Sequence, residues 1–173
     1  NRIYIEKYLE EPHHIEIQIF ADNHGNIVSL GERECSIQRR YQKVIEETPS
    51  PFISKNLRDA LAQTAINITR SCNYSGAGTI EFLIDKQRNF YFLEMNTRLQ
   101  VEHPITEMTT GFDLVKEQIN VASGKTLSFS QNQINAQGHA IECRIYAEDG
   151  SNDFVPSTGC ITEMIIPSGL GVR

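Results

Sequence analysis

The sequence predicts an α+β fold built mostly from antiparallel strands. Short segments alternate apolar and polar residues with a period of two, and polar turns separate them; two longer segments repeat their apolar residues at helical spacing. With 173 residues, the chain can form one ordinary domain with a real core but not two large ones. Hydrophobic residues make up 39% and charged residues 22%, the balance of a globular rather than a disordered chain.

The elements follow in order. Residues 3–9 read as a short strand running into a turn at Glu10-Glu11-Pro12. From His14 to Phe20, Ile15, Ile17 and Ile19 share one face while Glu16 and Gln18 take the other, the pattern of a half-buried strand. Asn23-His24-Gly25-Asn26 is a turn, and Ile27 to Leu30 returns as the partner strand. Residues 31–51 read as polar and irregular, closing on Pro49 and Pro51. Ser54 caps a helix in which Leu57, Ala60, Leu61, Ala65 and Ile68 recur at helical spacing to Ser71. Thr79 to Ile84 and Phe90 to Met95 form a strand pair around the loop Lys86-Gln87-Arg88-Asn89. A second helix spans Phe112 to Ser123 and stops at Gly124. Gln131 to Gln137 is a polar linker, and two further strands are expected over His139 to Tyr146 and Cys160 to Ile166.

Composition excludes several classes of function. No run approaches the roughly 20 apolar residues of a membrane span. The opening residues Asn1 to Lys7 carry no apolar signal core, so no signal peptide is expected, and with no spanning run no membrane partner is expected either. A net charge of −6 argues against a general nucleic-acid surface. Cys35, Cys72, Cys143 and Cys160 contain no C-x-x-C pair; we expect free thiols in a reducing cytoplasm and no zinc site. The chain has no initiator Met and stops at Gly171-Val172-Arg173 without a polar tail, so it is expected to be a piece of a longer polypeptide.

The segment Thr79 to Glu102 carries the most chemistry. If the loop 86–89 closes a regular hairpin, Asp85 faces Phe90, Phe82 faces Leu93, and Glu81 lands opposite Glu94. Like charges directly across a strand pair repel, which calls for a compensating cation. Asn96, two residues beyond Glu94, lies on the same face. Two carboxylates and a carboxamide suit Mg²⁺ or Mn²⁺. A solvent-facing pair in mild repulsion fits the same spacing. From Glu94 onward every second residue is polar (Glu94, Asn96, Arg98, Gln100, Glu102), so an extended chain would carry a polar row away from the metal. An exposed edge would alternate in the same way.

The stretch from Glu94 through Arg98, Gln100, Glu102, His103 and Pro104 to Glu107 resembles the signature of biotin carboxylases. Five more segments match that family in its order: Glu6 to Leu9, His14 to Gln18, Glu34 to Lys43, Gly76 to Phe82 and Gly138 to Asp149. The resemblance implies an ATP-grasp fold, two α+β lobes gripping a nucleotide. Residues 1–130 would form the C-terminal part of that domain and 135–173 the truncated start of the family's C-terminal domain. It also implies ATP, two Mg²⁺ or Mn²⁺ ions, bicarbonate and carrier-borne biotin. Glu6 and Leu9 would meet the adenine edge through their backbone, with Lys7 nearby; His14 and Gln38 match nucleoside contacts, and Tyr41 stands where some members carry His. Glu81 and Glu94 match the metal carboxylates that also place ATP, with Asn96 adjoining.

Lys43, Arg98, Gln100, Val101, Glu102 and Arg144 match the bicarbonate and biotin pocket. In the implied reaction, ATP phosphorylates bicarbonate and the carboxyl group then passes to biotin. Glu102 would be the general base and Arg98 a planar fork on bicarbonate. Lys43 would hold phosphate, and Arg144 would meet the enolate-like oxygen of biotin. Arg98 and Glu102 could instead form a surface ion pair, and Glu142 and Arg144 the wet face of a strand. His13, His24 and His139 receive no role, and His103 before Pro104 is expected to fix a turn. The family's glycine-rich lid would lie upstream of residue 1, so this chain is expected to be inactive alone.

The implied partners are a biotin carboxyl carrier protein or domain, a carboxyltransferase and a second copy in a homodimer. The implied compartment is the cytoplasm, or the mitochondrial matrix or plastid of a eukaryote. Two other readings remain open: another ATP-grasp ligase such as a carbamoyl phosphate synthetase, and a dimerisation module centred on residues 135–173, where Leu170 replaces an aromatic of some members.

Overall fold

The computed structural model describes residues 3–173. Its centre is a six-stranded antiparallel sheet in the order β5-β4-β1-β2-β3-β6. The strands are β1 (His13–Ala21), β2 (Ile27–Arg39), β3 (Gln42–Thr48), β4 (Gly76–Ile84), β5 (Phe90–Asn96) and β6 (Ala140–Cys143). Three helices flank it: α1 (Lys55–Ser71), α2 (His103–Thr110) and α3 (Leu114–Ala122). A small second ladder pairs β7 (Glu148–Asp149) with β8 (Val155–Pro156).

One face of the sheet is apolar over β1 and β4, while on β2 it carries the buried Glu32 and Glu34, with Glu32 paired to Arg58 of α1. Ile15, Ile17 and Ile19 of β1 meet Ile80, Phe82 and Ile84 of β4, and Leu61 and Ala65 of α1 cover them. Ser54 caps α1 by accepting from the Leu57 N–H, and its apolar residues recur on one side. The other face changes character along its length. At one end Phe20, Val28 and Ala77 pack under Leu114 and Val121 of α3. Beyond them the same face carries Gln18, Glu16 and His14 of β1 beside Thr79 and Glu81 of β4. Residues 15–21 are therefore buried on both faces, and the polar members of β1 point into protein rather than water.

Two loops share one design. Asp22 accepts from the N–H groups of His24 and Asn26 and from the Asn26 side chain. Asp85 does the same with Gln87, Asn89 and the Asn89 side chain. In each, the third residue after the aspartate, Gly25 or Arg88, has positive φ. Asp22 also accepts from the Leu127 N–H, tying the loop to the segment after α3. Gly78 answers a close approach: a Cβ there would stand 3.0 Å from both Ile19 and Tyr74.

Several expectations need correction. Residues 3–9 form no strand. Residues 31–51 are not irregular: β2 runs on to Arg39 and turns into β3 through Arg40 and Tyr41, both at positive φ as in a two-residue type I′ hairpin. The polar row after Glu94 is extended only to Asn96. Glu102 then heads α2, with Pro104 in the first turn where a missing N–H costs nothing. The second predicted helix starts later, at Leu114, because Asp113 caps it by accepting from the Lys116 N–H. Residues 131–133 of the linker make a short 3-10 turn, and 160–166 form no strand. All four cysteines are free, Cys35 alone being buried. No helix among the described residues is long and apolar enough to cross a membrane.

Burial raises the Asp22 pKa, but its hydrogen bonds, that from the Asn26 side chain foremost, outweigh this and hold it at about 2. Its stabilisation is thus complete above the ordinary aspartate value and is lost as pH falls through about 2. Asp22→Ala leaves its donors unpaired and should destabilise the chain by about 2–3 kcal/mol at neutral pH. Denaturant unfolding checks this: the deficit should shrink progressively below about pH 4, and equal stability at neutral pH would contradict it.

Candidate active site

The polar half of the sheet floors an open pocket of about 730 Å³. Its architecture begins with Arg33, fully buried on β2 directly opposite Glu16 of β1. Arg33 donates Nε to Glu16, Nη1 to Gln18 and Thr106, and Nη2 to Thr79 and Gln100. A buried guanidinium is tolerable only when its donors are used this fully.

From this pair the charges extend towards the pocket. The second oxygen of Glu16 accepts from Lys43 of β3. Lys43 Nζ also donates to Glu81 at 3.0 Å and to Glu102 at 2.7 Å. Glu102 Oε2 accepts from Arg144 Nη2 at 2.9 Å, and Arg144 Nε reaches Glu46 at 2.7 Å. Glu81 accepts from Gln100 at 2.8 Å, Asn96 at 3.0 Å and His14 Nε2 at 2.7 Å. Gln38 donates to His14 Nδ1 at 2.9 Å, which fixes the imidazole as the Nε2–H tautomer.

These contacts set the protonation states. Burial works against a charged Lys43, but Glu16, Glu102 and Glu81 raise its pKa and keep it an ammonium. Burial would raise the Glu81 pKa; the His14 hydrogen bond, the Lys43 charge and Gln100 hold it at about 2. Glu102 is likewise lowered despite its burial, chiefly by Lys43 and then by Arg33.

Glu81 stands opposite Glu94 as expected, by a different route. The loop holds five residues, Ile84 pairs with Phe90 and Phe82 with Phe92, not Leu93. A bulge between Glu81 and Phe82 then restores the two glutamates to register. Glu94 is exposed and Glu81 buried. Asn96 turns its amide nitrogen to both carboxylates and its oxygen to Arg98, so here it acts as a donor to the pair and not as a third oxygen facing it.

The donor set fits a hard divalent cation: among the described residues Glu94 meets only the Asn96 amide, and Glu81 shares the one charge of Lys43 with Glu16 and Glu102. Ligand atoms of His14, Glu16 and Glu81 also lie within 4.8 Å of one another, but Lys43 and Arg33 already neutralise that group. The cluster of Glu16, Cys35 and Glu102 is closed to a metal by the same cations and by a thiol whose pKa burial pushes well up.

The pocket gathers Lys7, Leu9, His14, Gln38, Lys43, Glu81, Glu94, Asn96, Arg98, Gln100, Val101, Glu102 and Arg144, with Tyr41 at its edge. Glu6 is exposed and does not line it. Lys7 donates to the Tyr91 hydroxyl at 2.7 Å. Arg98 makes no ion pair with Glu102; it reaches Asn96 and the Leu99 carbonyl, so its charge stays available to the pocket. Glu142 and Arg144 are not a wet strand face: an oxygen of Glu142 is buried without a partner. His103 closes the turn before α2, its Nδ1 on the Gln100 carbonyl. Glu16, Arg33 and Glu46 are not singled out by the sequence. Their signal is weak: polar residues on strands, which ordinarily face water.

Comparison with known proteins places the chain in a family. Residues 1–130 match the family described as carbamoyl-phosphate synthase L chain, ATP binding domain. Over 171 residues, 99% of the chain, it is 57% identical both to a biotin carboxylase of Nostoc sp. and to biotin carboxylase 2 of Bacillus subtilis. The chain spans only 38% of the length of each of those relatives. The biotin carboxylase domain dimer of Hydrogenobacter thermophilus 2-oxoglutarate carboxylase, in complex with MgADP, ADP and bicarbonate, superimposes with a TM-score of 0.91. That likeness comes at 49% identity and covers 95% of this chain and 36% of the other. The sheet, the charged pocket and the matched segments together lead to one assignment: the chain belongs to the family of the carbamoyl-phosphate synthase L chain ATP-binding domain, and its likeness within that family is to biotin carboxylases.

Proposed function

We propose that this chain is the C-terminal lobe of an ATP-grasp biotin carboxylase, which joins bicarbonate to carrier-borne biotin in a reaction driven by ATP cleavage. One observation carries the reading: Glu102 sits between two cations, Lys43 at 2.7 Å and Arg144 at 2.9 Å, beside Glu81 and the facing Glu94, whose carboxylate meets only an amide. A carboxylate base between two anion-binding groups is what bicarbonate activation requires. Lysine and arginine alone would bind phosphate, and a carboxylate alone would repel it.

The residues divide the work. Leu9 and Lys7 offer a wall for the adenine ring, His14 and Gln38 contact the nucleoside, and Glu81 and Glu94 would hold Mg²⁺ or Mn²⁺. Bound there, such a metal would supply charge neutralisation for the phosphate oxygens. Arg98 presents a planar fork to bicarbonate, with Gln100 and Val101 beside it. Glu102 takes the bicarbonate proton; the freed oxygen attacks the γ-phosphorus, ADP leaves and carboxyphosphate forms. Lys43 and Arg144 keep Glu102 ionised before substrate arrives. When anionic substrates draw those cations to themselves, the carboxylate becomes more basic at the moment it must accept a proton. Arg144 then steadies the ureido oxygen of biotin while its ring nitrogen forms a bond to the carboxyl carbon; the C–O bond of carboxyphosphate breaks, and the departing phosphate takes the ring N–H proton.

Residues 1–130 are proposed as this lobe, and 135–173 as the start of the following domain and its homodimer contact. Ile161, Ile165 and Leu170 there are exposed, as side chains awaiting more protein would be. The carrier, the carboxyltransferase and a cytoplasmic setting belong to the same proposal. Biotin-stimulated ADP formation by the complete protein separates it from a carbamoyl phosphate synthetase.

Two substitutions test the roles in the complete protein. Glu102→Gln should lower bicarbonate-dependent ATP cleavage by about 100-fold or more while nucleotide affinity stays within about two-fold; wild-type turnover would remove Glu102 as the base. Glu94→Gln should raise the Mg²⁺ concentration needed for half-maximal nucleotide binding by about ten-fold or more. Titration calorimetry reads this directly, and an unchanged Mg²⁺ dependence would place the metal elsewhere.

A further inference from the structure

Arg144 is held from behind by a residue outside the pocket. It follows the last residue of β6, and its backbone N–H donates to the Val44 carbonyl at 2.9 Å. Its side chain then spans two carboxylates, Nε on Glu46 at 2.7 Å and Nη2 on Glu102 at 2.9 Å. Glu46 is fully buried on β3, makes no contribution to the pocket wall and has no hydrogen-bonded partner for its second oxygen. A buried carboxylate is costly unless it is used, and its one use here is the guanidinium.

We propose that Glu46 is a positioning residue for Arg144: by gripping Nε it fixes the rotation of the guanidinium, so that the Nη2 edge faces the pocket, on Glu102 before substrate arrives and on the carboxyl acceptor afterwards. Held by Glu102 alone, the planar group could pivot about that single contact and turn its charge out of the pocket. Two carboxylates on different nitrogens leave it one orientation.

The neighbour of Glu46 is consistent with this role. Glu142 of β6 lies directly across from Glu46, and its buried oxygen likewise lacks a partner. Two ionised carboxylates facing each other across a strand pair would repel. Burial first, then the carboxylates of Glu46 on β3 and Glu102 at the head of α2, raise the Glu142 pKa to about 7, against Arg144 beside it and Arg33 of β2. Burial raises the Glu46 pKa as well, but there the charge and hydrogen bond of Arg144 work against it; of the two carboxyls, Glu46 is the one that Arg144 favours as the anion.

This inference rests on the proposed role of Arg144 at biotin, and the test separates the two. In the complete protein, Glu46→Gln, Glu46→Asp and Glu142→Gln are compared near pH 6.5. Biotin-dependent carboxylation should fall by about ten-fold or more in Glu46→Gln. Biotin-independent ATP cleavage and the KM for ATP should stay within about two-fold, and Glu46→Asp should recover part of the loss. Glu142→Gln replaces a neutral acid with a neutral amide and should behave as wild type. The Nε–H resonance of Arg144, followed by NMR, should lose its exchange protection in Glu46→Gln and keep it in Glu142→Gln. Equal losses in both glutamine variants, or a protected Nε–H in Glu46→Gln, would overturn the positioning role. A wild-type enzyme without biotin stimulation would instead overturn the proposed function, and the Nε–H signal would still decide the role of Glu46.

Discussion

The ion pair of Glu16 and Arg33, sealed in the middle of the sheet, is the contact on which the site depends. It joins β1 to β2, and the remaining donors of Arg33 reach β4 through Thr79, the loop after β5 through Gln100, and α2 through Thr106. The charged and amide groups at this end of the pocket are at most a few hydrogen bonds away. Gln100 passes from Arg33 to Glu81, and Lys43 passes from Glu16 to Glu81 and Glu102. An apolar pair of the same volume could stabilise the fold as well, because desolvating two charges offsets most of their attraction. It could not orient Gln100 and Lys43, so the pair is better understood as a device for specificity than for stability.

The same constraint explains the asymmetry of the sheet. Burying one face under α1 provides the apolar area, with Ile15, Ile17, Ile80 and Phe82 fully enclosed. The opposite face is then free to carry charge, provided each group finds a partner. Positive groups are fewer than carboxylates there. Arg33, Lys43 and Arg144 face Glu16, Glu46, Glu81 and Glu102, with Glu94 and Glu142 close by. A proton on Glu142 and the divalent cation proposed at Glu81 and Glu94 would bring these charges into balance, one at each end of the ladder.

Much of this was legible from the residues. The alternation of His14 to Phe20, the Ser54-capped helix and the Glu81–Glu94 pairing follow from period, capping and loop closure. What stayed hidden had physical causes. Glu16 and Gln18 look like a wet face because period-two alternation cannot distinguish water from a buried polar network. The hairpin at Arg40 and Tyr41 lacks the Asn-Gly or Asp-Gly signal that its positive φ angles ordinarily attract. The bulge beside Glu81 leaves no mark in composition, and a plain count reached the correct pairing because a longer loop and the bulge compensate each other. The turn at Val101 into α2 was masked by polar alternation that mimics a strand.

On this view the charged face is one connected device, completed by a metal-bound nucleotide. The most direct measurement is anomalous diffraction from crystals of the complete protein grown with Mn²⁺ and a non-hydrolysable ATP analogue. The expected result is a manganese peak shared by Glu81 and Glu94, with Lys43 turned from Glu81 towards phosphate and the Glu16–Arg33 pair unmoved. Manganese bound away from both glutamates, or a nucleotide bound while Lys43 keeps all three of its carboxylate contacts, would contradict it.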